Sequence, residues 1–456
     1  MGLGLLGRGV GDIRFLAEHG AHPIVTDLKS PEVLAPSLAQ LADVAEHITY
    51  VLGEHRLQDF RDRDFILKAA GVPLDSPYIA EARQHSIPIE MSTALFVAYT
   101  PATITGVTGT RGKSTVTHLL YELYTRYAAE KMGQHDASHR VFLGGNVRGL
   151  STLPLLEKTQ CGDRAVLELD SWQLQGFRER QISPHISVFT TFLPDHLNYY
   201  KNDLQAYFAD KAAIFSHQQA GDVCIVGEQV AAHPLFKDYC VALGRPLASK
   251  IIIAGATTFP RDWQLRLPGE HNRYNAGVAL AAARAAGIPD AISRAVFASF
   301  AGVPGRLELI TTSQGVSFYN DTTATTPDAT IAALQALGNS TILIMGGADK
   351  QLAMDALLAL LPTTVKKIIL LPGSGTARIL PRISALRVPF QEATTMDEAV
   401  TKAIDSSVSG DTILLSPAFA SFGLFANEFD RGDQFNTIVV RCTKNHSSSA
   451  THYDRP

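Results

Sequence analysis

Along almost the whole chain, short apolar runs alternate with stretches whose apolar residues recur every three or four positions. The runs predict strands and the stretches predict helices, and their alternation predicts parallel sheets in an α/β fold. Three blocks emerge. The first, residues 1–100, has strands near Pro23–Asp27, Asp64–Ala69 and Ile87–Met91. The second, 101–304, opens with the alternating run Ala102–Thr108 and then shows helical spacing of Val116, Leu119, Leu120, Leu123 and Tyr124. It adds apolar strands at Ala165–Leu169 and His185–Thr191. The third, 305–443, carries Val316–Asn320, Thr341–Met345, Lys367–Leu371 and Thr412–Leu415. These last four strands run into Asp321, Gly346-Gly347, Pro372-Gly373 and Ser416-Pro417. Ligands bind at such carboxyl ends in open α/β sheets, so polar residues there are candidates. Residues 444–456, rich in serine and charge, read as a disordered tail.

Composition narrows the function classes. A length of 456 residues implies two to four domains. An apolar content of 46% with 18% charged residues describes a folded globular protein. The net charge of −4 and the absence of a basic stripe exclude a nucleic-acid footprint. Cys161, Cys224, Cys240 and Cys442 are too scattered for a metal or redox motif and fit a reducing compartment. No apolar run approaches the ~18 residues of a membrane span, and no signal peptide is evident. The chain is expected to be cytoplasmic and monomeric, acting on small molecules.

The strongest chemical signal is Gly109-Thr110-Arg111-Gly112-Lys113-Ser114-Thr115, between a predicted strand and a predicted helix. A glycine loop at a helix N-terminus presents N–H groups and a positive dipole end to phosphate. Lys113 is then expected on the terminal phosphates of a nucleoside triphosphate and the Ser114 hydroxyl on Mg²⁺. Val107 stands where the full Walker pattern has a glycine. Glu168 ends a strand, where its carboxylate is expected to meet either Mg²⁺ held with Ser114 or an arginine. His196, at the mouth of the next strand, reads as a metal ligand or a hydrogen-bonded loop histidine. Lys211 lies on a helix, where a lysine is ordinarily solvated.

The first block opens with Gly2-Leu3-Gly4-Leu5-Leu6-Gly7, a G-x-G-x-x-G pattern with Asp27 about twenty residues on. Alone, this suggests a nicotinamide dinucleotide and a dehydrogenase. The strand that should precede it is missing, and a truncated or misassigned start is the expected reason.

Together these segments closely resemble the Mur ligases, ATP-dependent amide-forming enzymes of peptidoglycan precursor synthesis. The resemblance spans nearly the whole chain. It includes the phosphate loop, Leu167–Leu174, Asp195-His196, the Lys211 segment and Gly269–Ala276. It continues through Pro304–Glu308, Tyr319-Asn320-Asp321 and Leu415–Phe422. It is strongest with the branch that joins D-glutamate to UDP-N-acetylmuramoyl-L-alanine through an acyl phosphate.

The resemblance implies three domains. They are an N-terminal Rossmann-like UDP-binding domain (1–100), a central P-loop ATPase-like domain (101–304) and a C-terminal Rossmann-like amino-acid-binding domain (305–443). It implies ATP contacts from Gly109 to Thr115 and from Asn272, Asn275, Arg306 and Asp321, with closure of the third domain on ATP. It further implies UDP-substrate contacts from Gly4, Leu5, Leu6, Asp27 and Asn146, and amino-acid contacts from Lys350, Ser421 and Phe422. Lys113, Glu168, His196 and Lys211 would be catalytic. Two Mg²⁺ ions would be held by Ser114, Glu168, His196 and a CO₂-derived carbamate on Lys211. An ammonium ~4 Å from Mg²⁺ suffers roughly 8 kcal/mol of repulsion at a dielectric of 20, and the carbamate reverses its sign.

Four positions depart from the branch pattern. Thr323 replaces a lysine, Gly305 a histidine and Asn198 an aspartate, and Glu428 stands where an aromatic often closes the amino-acid pocket. A Mur-type ligase for another amino acid is therefore the alternative enzyme. A folate-polyglutamate ligase is a second, since it shares the phosphate loop and carbamylated-lysine pattern, but it typically starts near that loop. A non-catalytic nucleotide-binding regulator would not need Lys113, Glu168, His196 and Lys211 together.

Overall fold

The computed structural model describes residues 1–5, 7–132, 139–338 and 340–449. The chain groups into two compact units, one of Met1–Leu265 with Arg273–Phe300, the other of Arg266–Asn272 with Ala301–Pro456.

The first unit begins with two parallel pairs, β1 (Ile24–Asp27) on β2 (Thr49–Leu52) and β3 (Ile66–Leu67) on β4 (Ile89–Glu90). Between them lie Met1 and Gly2. The Met1 amino group donates to Leu67 O at 2.9 Å, and Ala69 N donates to Met1 O at 2.9 Å. Gly2 N donates to Thr26 O at 2.8 Å. Two residues thus hydrogen-bond to both sides, in the place where the sequence pattern wants a strand. The helix Arg8–Glu18 follows the glycine loop and buries Val10, Ile13 and Ala17.

The same unit holds a six-stranded, all-parallel sheet. Its strands are β5 (Thr103–Thr108), β6 (Val141–Gly145), β7 (Arg164–Glu168), β8 (Ile186–Phe189), β9 (Val223–Gly227) and β10 (Lys250–Ala254). Their spatial order is β10-β9-β8-β5-β7-β6. Along β7, Ala165 and Leu167 join one apolar cluster while Val166 joins another, so both faces of the sheet are covered. On one face packs the helix Lys113–Met132 through Val116, Leu119, Leu120 and Leu123.

The second unit is built on a sheet of order β11-β12-β16-β13-β14-β15. Its strands are β11 (Glu308–Ser313), β12 (Val316–Asn320), β13 (Thr341–Gly346), β14 (Val365–Leu371), β15 (Phe390–Glu392) and β16 (Thr412–Leu415). Only the β11–β12 pair is antiparallel. Ile342, Ile344, Ile413 and Leu415 face one core, and Leu343, Met345 and Leu414 the other. The final helix, Glu428–Ser449, corrects the expected tail, because residues 444–449 are helical. Once a helix is nucleated, each further residue adds one hydrogen bond, so polar composition alone does not end it. Residues 450–456 lie outside the described residues.

Candidate active site

β5 lies between β8 and β7, where the strand order reverses, and its carboxyl end continues into the phosphate loop. Such a reversal opens a crevice between the flanking loops. Two glycines make the loop possible. Gly109 has φ +147°, and a Cβ there would stand 2.0 Å from Thr190 Oγ1. Gly112 has φ +83°, and a Cβ would stand 2.3 Å from Asn275 Oδ1. Asn275 is therefore a wall of the loop.

The loop is braced by the segment after β8. Thr110 N donates to Thr191 O at 2.7 Å and Arg111 N to Thr191 Oγ1 at 2.8 Å. Thr110 Oγ1 and Leu193 N are joined at 3.0 Å. Lys113 folds back, its Nζ donating to Gly109 O at 2.8 Å and Thr110 O at 3.3 Å. Sequence reasoning missed Thr190 and Thr191. The signal was present in two hydroxyl residues directly after an apolar strand.

His196 follows in the same segment with φ +53°. Its backbone N donates to Asp195 Oδ1 at 2.9 Å, and Asp195 Oδ2 pairs with Arg111 at 3.1 Å. Burial pushes the Asp195 carboxyl up, but His196 and Arg111 outweigh it and bring it down to about 2. The His196 ring packs 4.7 Å from Trp172. Burial holds the imidazole below the usual histidine value, and Lys211 and Lys113 act in the same direction against Asp195. A neutral imidazole is the form that can ligate a cation.

Lys211 is not solvated but fully buried. Its Nζ donates to Gly109 O at 3.0 Å and stands 4.9 Å from the centre of the Tyr207 ring. Burial first, then the charge of Lys113, pushes its ammonium well below the usual lysine range. Next to it Asp210 is buried and pairs with Arg178 at 2.7 Å, Gln175 Nε2 at 2.8 Å and Tyr200 OH at 3.0 Å. This anchor fixes the helix Leu204–Ser216 and so the direction of Lys211.

Glu168 is buried at the end of β7, and Asn146 N donates to its carbonyl at 2.6 Å. Ser114 is buried as well. Ser114, Glu168 and His196 offer a hydroxyl, a carboxylate and a neutral imidazole. That set suits Mg²⁺ when waters and phosphate oxygens complete its shell. Among the described residues no three His, Cys, Asp or Glu side chains gather for a metal.

Around the glycine loop, Gly4 N donates to Asp27 Oδ2 at 3.0 Å, and Ser37 Oγ donates to Gly4 O at 2.8 Å. Asp27 is buried and also accepts from Lys29 N at 2.9 Å. Gly4 and Asp27 are thus joined to each other, and Asp27 braces the loop from below. Leu5 is exposed, and Leu6 lies outside the described residues. Asp12 accepts from Ser151 Oγ at 2.6 Å, which ties the helix after the glycine loop to the segment that follows Asn146.

In the second unit the carboxyl ends of β12, β16 and β13 gather the other candidates. Asp321 accepts from Ser416 Oγ at 2.8 Å and Leu307 N at 3.0 Å, and burial raises it to about 7. Arg306 is exposed nearby, and Asn272 Nδ2 donates to Pro268 O at 2.8 Å. Lys350 Nζ donates to Thr325 Oγ1 at 2.9 Å. The loops after β13 and β16 pair through Ala348 and Ala420, which places buried Ser421 at that edge. Phe422 is exposed. Of the departing residues, Thr323 donates through both its amide and its hydroxyl to Gly305 O. Glu428 accepts Thr322 Oγ1 on its carbonyl, and its charge supports the buried Arg431 guanidinium.

Three family models match this chain. They are a Mur ligase MurD-like N-terminal domain over residues 1–90, a Mur ligase middle domain over 107–238 and a Mur ligase glutamate ligase domain over 305–419. The chain is 37% identical to UDP-N-acetylmuramoylalanine–D-glutamate ligase of Roseiflexus sp. strain RS-1, covering 97% of this chain and 98% of that protein. It is 34% identical to the protein of the same name from Borreliella burgdorferi strain ZS7, covering 96% of each. Among solved structures, UDP-N-acetylmuramate-alanine ligase of Thermotoga maritima superposes with a TM-score of 0.62 at 17% identity. That match covers 97% of this chain and 98% of the other. Escherichia coli FolC in complex with DHPP and ADP gives 0.56 at 18% identity, over 82% of this chain and all of the other. These two structures share the fold.

Proposed function

Because the chain belongs to the Mur ligase family, we infer that it catalyses the ATP-dependent addition of D-glutamate to UDP-N-acetylmuramoylalanine. The observation that carries this reading is the meeting of Lys113 and Lys211 on one carbonyl, beside His196, at the carboxyl end of β5. An amide cannot form from a free carboxylate and an amine without activation. Transfer of the γ-phosphoryl group to the substrate carboxylate supplies it, and the amine of D-glutamate then displaces phosphate.

Residues 101–304 bind ATP in this reading. Gly109–Thr115 cradle the phosphates, with Asn275 as the loop's wall and Asn272, Arg306 and Asp321 as further contacts. Lys113 leaves the loop carbonyls to neutralise charge on the phosphoryl group, the dominant need in such a transfer. Ser114 and Glu168 hold one Mg²⁺, and His196 with a carbamate on Lys211 holds a second. The metal supplies charge neutralisation between nucleotide and acceptor. The buried Lys211 amine suits carbamate formation, in which its nitrogen bonds to CO₂ and releases a proton. Two ammonium groups sharing one carbonyl repel, and the carbamate removes that repulsion. Residues 1–100, with Asn146, receive the UDP substrate. Residues 305–443, through Lys350, Ser421 and Phe422, receive the amino acid, cationic and hydroxyl donors being suited to two carboxylates. One copy of the chain carries the whole set, so a monomer suffices. ATP and a UDP-linked substrate place the reaction in the cytoplasm.

The test is phosphate release from ATP and Mg²⁺ with UDP-N-acetylmuramoyl-L-alanine, offering D-glutamate, L-glutamate, L-lysine and meso-diaminopimelate in turn. Release that needs both the UDP substrate and D-glutamate is the expected result. Release with another amino acid only would move the chain to a different step, and none with any would refute the ligase reading.

A further inference from the structure

Among the described residues, one of the largest fully buried side chains is a charged one. Arg431, on the final helix, is 0% exposed. Its Nε donates to Thr322 Oγ1 at 3.1 Å, one terminal nitrogen to Thr322 O at 2.7 Å, and the other to Phe419 O at 3.2 Å. Thr322 Oγ1 in turn donates to Glu428 O at 2.7 Å, closing the network onto the first turn of the same helix. One guanidinium therefore links the loop after β12 to the loop after β16. Gly432 makes the approach possible, since a Cβ there would stand 2.6 Å from the Thr322 methyl.

A fully buried guanidinium is costly unless its donors are satisfied, and hydrophobic packing of equal volume is often as stable. What the guanidinium adds is direction, because its planar fork fixes the relative position of the carbonyls it holds. Both loops end in candidate amino-acid contacts. Thr322 lies three residues before Thr325, the partner of Lys350, and Phe419 lies two before Ser421. Ala418 N donates to Ala324 O at 2.9 Å, so the two loops are pinned at a second point beside these contacts.

We propose that Arg431 is a positioning residue for the incoming amino acid. It sets the spacing between the Thr325–Lys350 pair and Ser421, without touching the substrate itself. The proposal rests on the ligase reading above in naming the substrate as an amino acid with two carboxylates.

The decisive variants are Arg431→Lys, Thr322→Val and Thr322→Ser. Lysine keeps the charge but cannot hold three acceptors in one plane, and valine keeps the shape of threonine without its hydroxyl. Arg431→Lys and Thr322→Val should raise the KM for D-glutamate by about tenfold, the size of one lost oriented contact. The KM values for ATP and the UDP substrate should stay within about twofold. Thr322→Ser keeps the hydroxyl and should restore wild-type KM. Amide hydrogen exchange, which needs no turnover, should quicken in residues 322–326 and 418–422 of the first two variants while β13 and β14 keep their protection.

An even rise in all three KM values, or a general loss of protection, would overturn the proposal and make Arg431 a core residue only. Should the wild type use a different amino acid, the D-glutamate reading falls. The KM for that acid then judges Arg431, and a KM left unchanged in both variants would overturn the proposal.

Discussion

Lys113 and Lys211 donate to the same oxygen, the carbonyl of Gly109, at 2.8 and 3.0 Å, although they come from different helices. Gly109 can hold both because its own backbone bends away at a φ that a side chain would block. The shared carbonyl brings the two side-chain nitrogens to one point at the carboxyl end of β5.

Lys211→Ala should lower kcat by at least about a hundredfold, the usual cost of losing one charge-stabilising group in phosphoryl transfer. Formate or acetate should restore part of the rate by standing in for the carbamate. Full activity of Lys211→Ala in bicarbonate-free buffer, measured by phosphate release, would refute the carbamate.

Gly112→Ala tests the loop's geometry. Its φ of +83° disfavours any side chain, and the new methyl would press on Asn275 Oδ1 at 2.3 Å. The strain costs roughly 1–3 kcal/mol and should appear as weakened ATP binding by calorimetry. Gly149→Ala is the control, with φ +71° and open space around the Cβ position. It should carry only the backbone cost, roughly 1 kcal/mol, and leave ATP affinity unchanged. Equal nucleotide affinity in both variants would show that Asn275 does not wall the loop.

What was legible in the sequence was local. The phosphate loop, its strand and its helix are adjacent in the chain, so their pattern names them directly. Strand β6 ends in two glycines, β10 is a largely exposed edge, and β11 is rich in threonine and serine. All three were missed, although β10 carries the apolar run Ile251–Ala254, and so was the buried β9. The pairing of Arg111 with Asp195 and of Lys211 with Gly109 depends on which strands flank β5, and no short-range pattern encodes that order. The Gly4–Asp27 bond was half legible. The spacing that suggests a dinucleotide site brings the two together, but the carboxylate is spent on the loop's own amide.

Asp12 should make stability depend on pH. Burial raises its pKa from 3.8 to about 6, against hydrogen bonds from Ser151 and Ser92. The folded protein then binds a proton more tightly than the unfolded chain. The favourable contribution is present below about pH 4 and is lost as pH rises through about 6. Integrated over that window it amounts to roughly 3 kcal/mol at most. Asp12→Asn has no proton to lose, so its stability relative to wild type should climb between pH 4 and 6 in urea titrations. A difference that stays flat across the window would place Asp12 in a more solvated setting than its burial indicates.

Gly305 and Thr323 differ from the D-glutamate branch pattern together, and they touch, with the Thr323 hydroxyl on Gly305 O at 2.9 Å. Restoring the branch residue at Gly305 alone should therefore fail. Gly305 has φ +71°, and a Cβ would stand 2.9 Å from the Thr322 methyl, inside normal contact. Gly305→His should destabilise the protein by roughly 1–3 kcal/mol through backbone strain. It should also disturb the Thr322–Arg431 network and raise the KM for D-glutamate. Thr323→Lys removes a hydroxyl from a backbone carbonyl but adds a cation on the loop that carries Thr325, so it should lower that KM while costing about 1 kcal/mol of stability. If these departures are local compensation, the double variant should recover part of the stability that Gly305→His loses. Strict additivity of the two changes in thermal unfolding would show that they are independent.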